Sequence, residues 1–408
     1  MNPLLSRLSF RTAGESHGPA VVSLLEGLPR GLTVDLDAVN AALRRRQGGA
    51  GRGGRQRIEQ DAVEVLGGLR RGVTIGSPLC LVVRNRDHTI DELPEPSRPR
   101  PGHADLAGCY RWLDTDIRST LERASARETA GRVAAGAVCA QVLRLVGAEV
   151  LGFVRRVGRA ELPSHLPQLP ADAAAVAALR AQRDSAALYT LDPVADAAMC
   201  AEVDAAARNR DTVGGVVEVH VHGVPPGLGS CLQWHERLDS RLGAALLSIP
   251  AIKGVEVGAG FGAAEAFGSS VHDPIVPQVG AGAPAGGDHL ATSRTSNRAG
   301  GLEGGMTNGQ SLVVRAAMKP ISTLLQPLAS VDLASGAAVS AGYERSDVCA
   351  VAAASVVAEA MVALVLADAL LARVGGETVA EFLERWRAFS AAAAALGRGA
   401  PKKGPGDP

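Results

Sequence analysis

The residues best suited to chemistry stand in short loops that combine arginine, histidine and serine with glycine and proline. In the first of these, residues 12–19, two glycines and a proline predict a tight turn that presents Ser16 and His17. A neutral histidine on such a loop can take or give a proton near neutral pH. The alternative, that both side chains only satisfy backbone groups of the turn, has equal weight from the sequence.

An arginine-rich stretch, residues 44–57 and here called the arginine loop, holds six arginines among several glycines, with no acidic residue before Glu59. Glycine lets the backbone approach a phosphate, and arginine can hold it through paired hydrogen bonds. The pattern favours an anion site, because neighbouring like charges repel. The alternatives are a flexible basic loop and a nucleic-acid contact. Nucleic acid is disfavoured because no aromatic residue lies among these arginines.

A Pro-Gly turn at residues 100–105 presents a second histidine, His103, beside Arg98 and Arg100. Alone, this turn would be interpreted as an ordinary surface turn. It becomes a candidate because it repeats the combination of a loop histidine with nearby arginines.

A long helix is predicted over residues 120–146 from its apolar spacing. Arg123 and Arg127, four residues apart, would share one face of this helix, where like charges cost roughly a few tenths of a kcal/mol. An anion bound between them would remove that cost. Neutralisation by Glu122 and Glu128 is the alternative.

Two segments in the C-terminal half complete the set. Residues 297–309 contain paired glycines that suit a backbone cradle for a phosphate or a flat ring, although such a loop alone is a weak signal. Ser346 is predicted to cap a helix that begins near Val348, with Asp347 in its first turn. Beside Arg345, Asp347 is either a capping residue or a carboxylate held ready to take a proton.

Two further patterns suggest other chemistry. Residues 255–263 fit the G-x-G-x-x-A form of a dinucleotide fingerprint, with Asp273 at a suitable spacing for a ribose contact. The alternative function is therefore a flavin- or NAD(P)H-dependent oxidoreductase, although the segment around Pro250 is a poor first strand for that fold. His220 and His222 could bind a metal from one strand face. No suitable cysteine or carboxylate set accompanies them, so we predict structural histidines and no metal.

The composition is that of a globular protein, with 46% hydrophobic and 21% charged residues. Basic and acidic residues balance at 42 each, so no global charge attracts nucleic acid or an anionic membrane. Six scattered cysteines without a Cys-x-x-Cys pair indicate buried thiols in a reducing compartment. No secretory signal is recognisable, and Glu359 and Asp368 interrupt the apolar stretch at residues 349–372. We therefore predict a buried core helix and a cytoplasmic protein.

These loops need a scaffold of strands and helices. Strands are predicted at residues 21–25, 62–66, 79–83, 216–221 and 311–316, and helices at residues 37–46, 120–146, 238–248 and 348–372. Because strands and helices do not alternate strictly, we predict an α+β fold rather than a parallel Rossmann sheet. We expect a single domain over residues 1–408, with a peripheral alanine- and proline-rich excursion near residues 160–198 and a disordered tail at residues 397–408.

Taken together and in order, five segments resemble the chorismate synthase family: residues 14–18, 100–105, 123–129, 297–309 and 345–351. The resemblance implies a lyase that converts 5-enolpyruvylshikimate 3-phosphate to chorismate by 1,4-anti elimination of phosphate, in the last step of the shikimate pathway to aromatic amino acids. It implies a requirement for reduced FMN without net redox change. It also implies a β-α-β sandwich of antiparallel sheets and helices, assembled as a homotetramer.

The resemblance further implies roles for individual residues. His103 matches the proton donor to the leaving phosphate, and His17 matches the histidine that protonates the reduced flavin. Asp347 matches the carboxylate that works with the flavin N5 in removing the ring proton, and Ser16 and Ser125 match serines near that relay. Substrate-anion contacts are implied for Arg46, Arg52, Arg100, Arg127 and Arg345. FMN contacts are implied for Arg123, Ala124, Ser125, Pro250, Ala251, Gly304, Lys319, Pro320, Ile321, Ser322, Thr323 and Arg345.

Three positions depart from the family pattern. Ala50 stands where tyrosine is usual, Ala352 where proline is usual, and His88 where tryptophan is common. Ala50 lies in the arginine loop, so loop order or activity could be reduced. The source of reduced flavin stays open between a separate flavin reductase and NADPH-dependent reduction by the chain itself. A catalytically inactive subunit that keeps FMN and phosphate affinity is a further alternative.

Overall fold

A computed structural model describes residues 4–53, 59–163, 173–277, 290–344 and 346–396 of the chain. The strands, in chain order, are β1 (Ser9–Ala13), β2 (Ala20–Glu26), β3 (Val63–Gly67), β4 (Leu69–Arg70), β5 (Val73–Thr74), β6 (Leu79–Arg84), β7 (Glu149–Val157), β8 (Ala160–Glu161), β9 (Gly215–His222), β10 (Ile252–Val257), β11 (Ile275–Pro277), β12 (Thr292–Arg294), β13 (Leu302–Glu303), β14 (Met306–Thr307), β15 (Leu312–Met318), β16 (Ala329–Val331) and β17 (Ala338–Ser340).

The helices are α1 (Leu36–Gln47), α2 (Asp105–Trp112), α3 (Arg118–Ala124), α4 (Thr129–Arg144), α5 (Ala173–Ser185), α6 (Pro193–Arg208), α7 (Leu238–Leu247), α8 (Gly268–Val271), α9 (Val351–Val374) and α10 (Val379–Ala395). Short 3₁₀ turns lie at Ala126–Glu128 and Gly260–Glu265. The predicted disordered tail at residues 397–408 falls outside the described residues.

Two antiparallel sheets enclose a layer of helices. The first sheet has the strand order β1-β2-β6-β3, and the second has the order β10-β15-β9-β7-β8. Helix α4 packs on β2 and β6 of the first sheet, and α9 packs on β7 and β9 of the second, while α1, α4 and α9 contact one another between them. This arrangement confirms the predicted α+β fold with antiparallel sheets.

The close approach of α4 and α9 depends on small residues. A Cβ atom on Gly136 of α4 would lie 2.4 Å from the carbonyl oxygen of Ala360 on α9, so only glycine fits there. Helix α9 is long and apolar enough to cross a membrane by length and composition, with a mean hydropathy of 2.0, but 94% of that stretch is buried inside the protein. It is the core helix predicted from the sequence.

The predicted continuous helix over residues 120–146 is wrong. The helix is interrupted at Ser125, whose backbone is extended with ψ 144°. As a result α3 ends at Ala124, and α4 begins at Thr129. The Ser125 Oγ accepts a hydrogen bond from the Arg127 N–H, which stabilises the break. Arg123 and Arg127 therefore do not share a helical face, and the repulsion argument built on that face does not apply.

The predicted start of the last core helix near Val348, with Ser346 as its cap, is also wrong. Helix α9 begins at Val351, and its N-cap position, Ala350, makes no side-chain cap. Asp347 lies before the helix, where its two carboxylate oxygens accept hydrogen bonds from the Arg52 side chain and the Gly53 N–H. These partners hold Asp347 outside the helix.

Two carboxylates on α9 tie distant segments to the core. Asp368 has no exposed surface and accepts the backbone N–H groups of Ser6, Arg7 and Leu8 as well as the Arg241 guanidinium. This set of contacts anchors the segment that enters β1.

The second carboxylate, Glu359, accepts from Arg45 at 2.6 Å, from Arg183 at 2.9 Å and from the Gly152 N–H at 2.7 Å. Burial raises the pKa of this carboxyl, but the two guanidiniums outweigh burial and hold the pKa at about 2. Glu359 is therefore ionised in the folded protein at all ordinary pH values.

The low pKa of Glu359 predicts a pH-dependent stability. Because the folded-state pKa lies below the unfolded value of ~4.3, the stabilisation is complete above that value and is lost as the pH falls towards 2. The expected size is about 3 kcal/mol at neutral pH. Urea unfolding of wild type and Glu359→Gln between pH 7 and pH 3 should show a smaller loss in the variant. Equal losses would contradict the assignment; Glu377→Gln, whose side chain is 81% exposed, is the control.

Candidate functional site

The loop between β1 and β2 presents His17 against a buried carboxylate. The His17 Nδ1 lies 2.9 Å from Glu122 Oε1, and the His17 backbone N–H donates to Glu122 Oε2 at 2.7 Å. Arg118 also donates to Glu122, at 3.2 Å. Burial raises the pKa of Glu122, but the hydrogen bonds from His17 and Arg118 outweigh it, so the pKa is lowered. An ionised Glu122 therefore orients the imidazole.

Ser16, Ser125 and Arg123 lie beside His17. The Ser125 Oγ donates to the Ser16 Oγ at 3.1 Å across the loop. Arg123, on α3, donates to the Gly14 carbonyl at 3.1 Å and to the Thr12 Oγ1 at 2.9 Å. The structure thus brings together four of the residues singled out in the sequence, with Ala124 next to them at the end of α3.

Asn85 joins this loop to the buried arginines, and sequence analysis missed it. Its Nδ2 donates to the carbonyls of Glu15, Ser16 and Gly18, the last at 2.6 Å. Its Oδ1 accepts from the Arg127 Nε at 2.6 Å. Asn85 follows β6 directly, and no motif marks it in the sequence.

Arg46 and Arg127 share one buried carboxylate, Asp61. Asp61 Oδ2 accepts from Arg46 at 2.7 Å and Oδ1 accepts from Arg127 at 2.6 Å. Burial raises the pKa of Asp61, but the two guanidiniums outweigh it and lower the pKa. For Arg46, burial is the main cause of a lowered pKa, with Arg127 adding repulsion. Asp61 is a second residue that sequence analysis missed.

Arg52 extends this cluster of positive charge. Its guanidinium donates to Asp347, and its charge contributes to the lowered pKa of Arg46. The Nε atoms of Arg46 and Arg52 are both buried without a hydrogen-bond partner in the described part of the chain. Buried donors of this kind are costly, and a bound anion would satisfy them. Arg345 lies outside the described residues.

The second histidine loop has the same construction. The His103 Nδ1 is hydrogen-bonded to the buried carboxylate of Asp105, which also accepts from the Arg100 Nε at 2.8 Å and the Arg100 backbone N–H at 3.0 Å. Burial raises the pKa of Asp105, but the bonds from His103 and Arg100 outweigh it and hold the pKa well below its ordinary range. Arg100 also donates to the Thr323 Oγ1 at 3.1 Å.

Lys319 to Thr323 follow β15 and lie against the His103 turn. A Cβ atom on Gly102 would lie 3.5 Å from the Ser322 Oγ and 3.9 Å from the Lys319 Nζ. The Lys319 Nζ donates to the Ser322 Oγ at 2.9 Å, and its backbone N–H donates to the Ala251 carbonyl at 3.0 Å. Residues 250–251 and 319–323 are therefore adjacent, and the Ile321 carbonyl accepts a hydrogen bond from the Thr212 hydroxyl.

The charge of Lys319 is not paired with a carboxylate among the residues that the structure describes. Its pKa is lowered by burial and, to a lesser extent, by the charge of Lys253. A partly buried ammonium in this state favours an anion such as a phosphate. Gly304 lies in the turn of the β13–β14 hairpin, with φ +59°, and that hairpin packs against α7.

The two alternative patterns have structural explanations. Gly258 and Gly260 follow an antiparallel strand and lead into a 3₁₀ turn, not a Rossmann helix. The Asp273 carboxylate accepts from the backbone N–H groups of Arg298 and Ala299, so it is used within the chain. His220 Nε2 lies 2.6 Å from Glu218, and no metal-binding group of side chains occurs in the described ranges.

Comparisons with known proteins agree with this construction. A family model described as chorismate synthase matches residues 8–371. A chorismate synthase of Desulforudis audaxviator is 49% identical over 394 residues, which cover 94% of this chain and 97% of that protein. A chorismate synthase of Symbiobacterium thermophilum is 48% identical over 399 residues, which cover 94% and 98%.

A solved structure gives the same result for the fold. A crystal structure of chorismate synthase superposes with a TM-score of 0.77 at 38% sequence identity, covering 96% of this chain and 100% of that chain. The two loop histidines on buried carboxylates and the arginines around them lie within the matched residues. The chain belongs to the chorismate synthase family.

Proposed function

We propose that the chain catalyses the reaction of its family, the 1,4-anti elimination of phosphate from 5-enolpyruvylshikimate 3-phosphate to give chorismate. The observation that carries this proposal is the Arg100–Asp105–His103 group. It combines a proton donor with fixed positive charge, which is what departure of a phosphate requires.

In this proposal His103 protonates the leaving phosphate. Asp105 holds the Nδ1 side of the ring, so the opposite nitrogen, Nε2, is the position that gives up the proton. The ionised Asp105 stabilises the imidazolium, and Arg100 fixes Asp105 through its side chain and its backbone N–H. Proton transfer from a positioned group of this kind contributes about 10²–10⁴-fold to a rate.

The substrate carries two carboxylates and a phosphate, so it needs several fixed cations. We assign Arg46, Arg52, Arg100 and Arg127 to these anions, together with Arg345 in the part of the chain that is not described. The support is the burial of Arg46, Arg100 and Arg127, together with the Nε donors of Arg46 and Arg52, which have no partner within the described residues. Guanidinium groups held in this way bind carboxylate and phosphate bidentately.

We assign His17, Ser16, Ser125 and Asp347 to the proton transfers that do not involve the leaving phosphate. These are protonation of the reduced flavin and removal of the ring proton of the substrate. Glu122 fixes the His17 ring through Nδ1, and the Ser125 hydroxyl donates to Ser16, the residue before His17. Asp347 accepts from Arg52 and Gly53, which holds its carboxylate in place as a proton acceptor.

We assign the binding of reduced FMN to the surface formed by residues 250–251 and 319–323. The Lys319 ammonium, which has no carboxylate partner within the described residues, would hold the FMN phosphate together with the Ser322 hydroxyl and the turn at Ala251. Further contacts to FMN are assigned to Pro250, Pro320, Ile321, Thr323, Gly304, Arg345, Arg123, Ala124 and Ser125. When bound, reduced FMN supplies electron density to the allylic system and a basic ring nitrogen. The protein residues bind it, exclude water and hold the protons described above.

Lys319→Met is expected to weaken binding of reduced FMN about tenfold or more, because it removes one charge-assisted contact worth about 1.5–3 kcal/mol. Anaerobic fluorescence titration measures this directly. Lys253→Met is the matched control, since Lys253 contributes nearby charge but makes no hydrogen bond to residues 319–323. We expect this variant to weaken FMN binding by less than about threefold. Equal losses in both variants would show that general charge, not the Lys319 contact, binds the flavin.

The function is tested by anaerobic incubation with chemically reduced FMN and 5-enolpyruvylshikimate 3-phosphate, with phosphate release as the measurement. Release of phosphate is expected. Good FMN binding without release would indicate an inactive binding subunit. Consumption of NADPH without added reductant would mean that the chain reduces its own flavin; otherwise a separate flavin reductase supplies it.

We further propose that the protein is a cytoplasmic homotetramer. Gel filtration with light scattering would test the tetramer.

A further inference from the structure

The arginine loop is backed by a segment to which the sequence assigned no role. Residues 183–191, here called the brace, comprise the last turn of α5 and most of the segment that leads to α6. The carbonyl of Ala187 accepts the Ala50 N–H at 2.8 Å. A Cβ atom on Gly48 would lie 2.2 Å from the Tyr189 hydroxyl oxygen, so the tyrosine occupies the space that the glycine leaves.

The opposite side of the loop is enclosed as tightly. A Cβ atom on Gly49 would lie 2.4 Å from the Ala352 Cβ, and one on Gly51 would lie 2.9 Å from the Cys349 Cβ. The Gly51 carbonyl accepts the Val348 N–H at 2.8 Å. Residues 48–51 of the arginine loop are therefore held between the brace and the start of α9, at the same place where Ala50 and Ala352 depart from the family pattern.

The brace is itself fixed by a buried ion pair. Arg183, with a side chain 2% exposed, donates to Glu359 at 2.9 Å and to the Gly152 carbonyl at 3.2 Å. Glu359 accepts at the same time from Arg45, the residue before Arg46, at 2.6 Å. A single carboxylate therefore connects the brace to the end of α1, where the arginine loop begins.

We infer that Arg183 and Tyr189 are positioning residues that set the arginine loop so that Arg46 and Arg52 meet the substrate anions. This inference rests on the proposed function. Both residues act through the loop and not on the substrate. Their loss should therefore weaken substrate binding more than the chemical step, which appears as a raised KM with kcat little changed.

The first test compares two arginines of α5. Arg183→Met breaks the contact to Glu359, while Arg180→Met breaks the contact of the same helix to Glu149, which lies at 2.5 Å and does not reach the loop. We expect KM for 5-enolpyruvylshikimate 3-phosphate to rise about tenfold in Arg183→Met, equivalent to one lost charge-assisted contact. KM in Arg180→Met should stay within about twofold of wild type.

The second test does not disturb the ion pair. Gly48 has an ordinary φ of −79°, so Gly48→Ala strains only the contact with the Tyr189 hydroxyl. Gly48→Ala should have a higher KM than wild type, and adding Tyr189→Phe should return KM to the wild-type value. The reason is that without the hydroxyl the nearest ring carbon, Cζ, lies 3.4 Å from the new Cβ, which is an ordinary contact. Amide hydrogen exchange at Ala50 reports the loop directly and should quicken in Gly48→Ala and recover in the double variant.

These outcomes separate the inference from the proposed function. Wild-type protein that releases no phosphate would overturn the function. Active wild-type protein in which Arg183→Met and Arg180→Met have the same KM, and in which Tyr189→Phe rescues neither KM nor Ala50 exchange, would overturn the positioning role. A fall in kcat with unchanged KM would also overturn it.

Discussion

Replacing His103 with alanine is expected to slow phosphate release at least about 100-fold while binding of reduced FMN is retained. The reason is the geometry of the second histidine loop, where Asp105 is hydrogen-bonded to the His103 ring and is itself held by Arg100. Among the described residues, no other histidine lies in this turn, so none can replace His103 as the proton donor. Single-turnover phosphate release measures the effect, and an anaerobic flavin titration checks that the cofactor still binds.

His272→Ala is the control for His103, because His272 is an exposed histidine away from the loop and should leave the rate unchanged. Asp105→Asn keeps the size of the partner and removes its charge, so it should reduce kcat by a smaller factor than His103→Ala. Near-normal turnover in His103→Ala would remove His103 from the mechanism. Loss of flavin binding together with the rate would instead indicate a disordered loop.

Asp61→Ala is expected to lower the free energy of unfolding by about 3–5 kcal/mol, because the buried Arg46 loses its carboxylate and Arg127 keeps only the more distant Glu59, at 3.7 Å. Arg46 and Arg127 both donate to Asp61, at 2.7 and 2.6 Å, and the Asp61 side chain has no exposed surface. Urea unfolding at neutral pH measures the loss. Because Asp61 has a lowered pKa in the fold, its contribution is present above ~3.9 and disappears as the pH falls, so the deficit should shrink in acid.

Glu64→Ala provides the matched control on the neighbouring strand. Glu64 pairs with Arg84 at 3.1 Å, but their side chains are 49% and 59% exposed, so its removal should cost less than about 1 kcal/mol. If both variants lose the same stability, the shared carboxylate is no more than a surface ion pair. If Asp61→Ala is stable but binds substrate poorly, its role is confined to positioning the two arginines.

The sequence predicted the local features of the site well. Turns rich in glycine and proline indicated the loops that carry His17 and His103, and short β-like runs bounded by glycine or proline indicated β2, β6 and β9. These signals are local, because turn chemistry and strand periodicity act between residues a few positions apart. The predicted helix periodicity failed at Ser125, where a side-chain hydrogen bond to the backbone competes with the helix, and it placed the start of α9 three residues too early.

The partners of the functional side chains were decided by the tertiary structure. His17 meets Glu122, 105 positions away, and Arg45 meets Glu359, 314 positions away. No sequence spacing reports such pairs, since their energy depends on burial and on which charges share the same low-dielectric space. By itself the sequence determined which loops carry arginine and histidine. The packing of the helices and sheets decided which distant carboxylate holds them, because an ionised group can be buried only where a partner lies within hydrogen-bond reach.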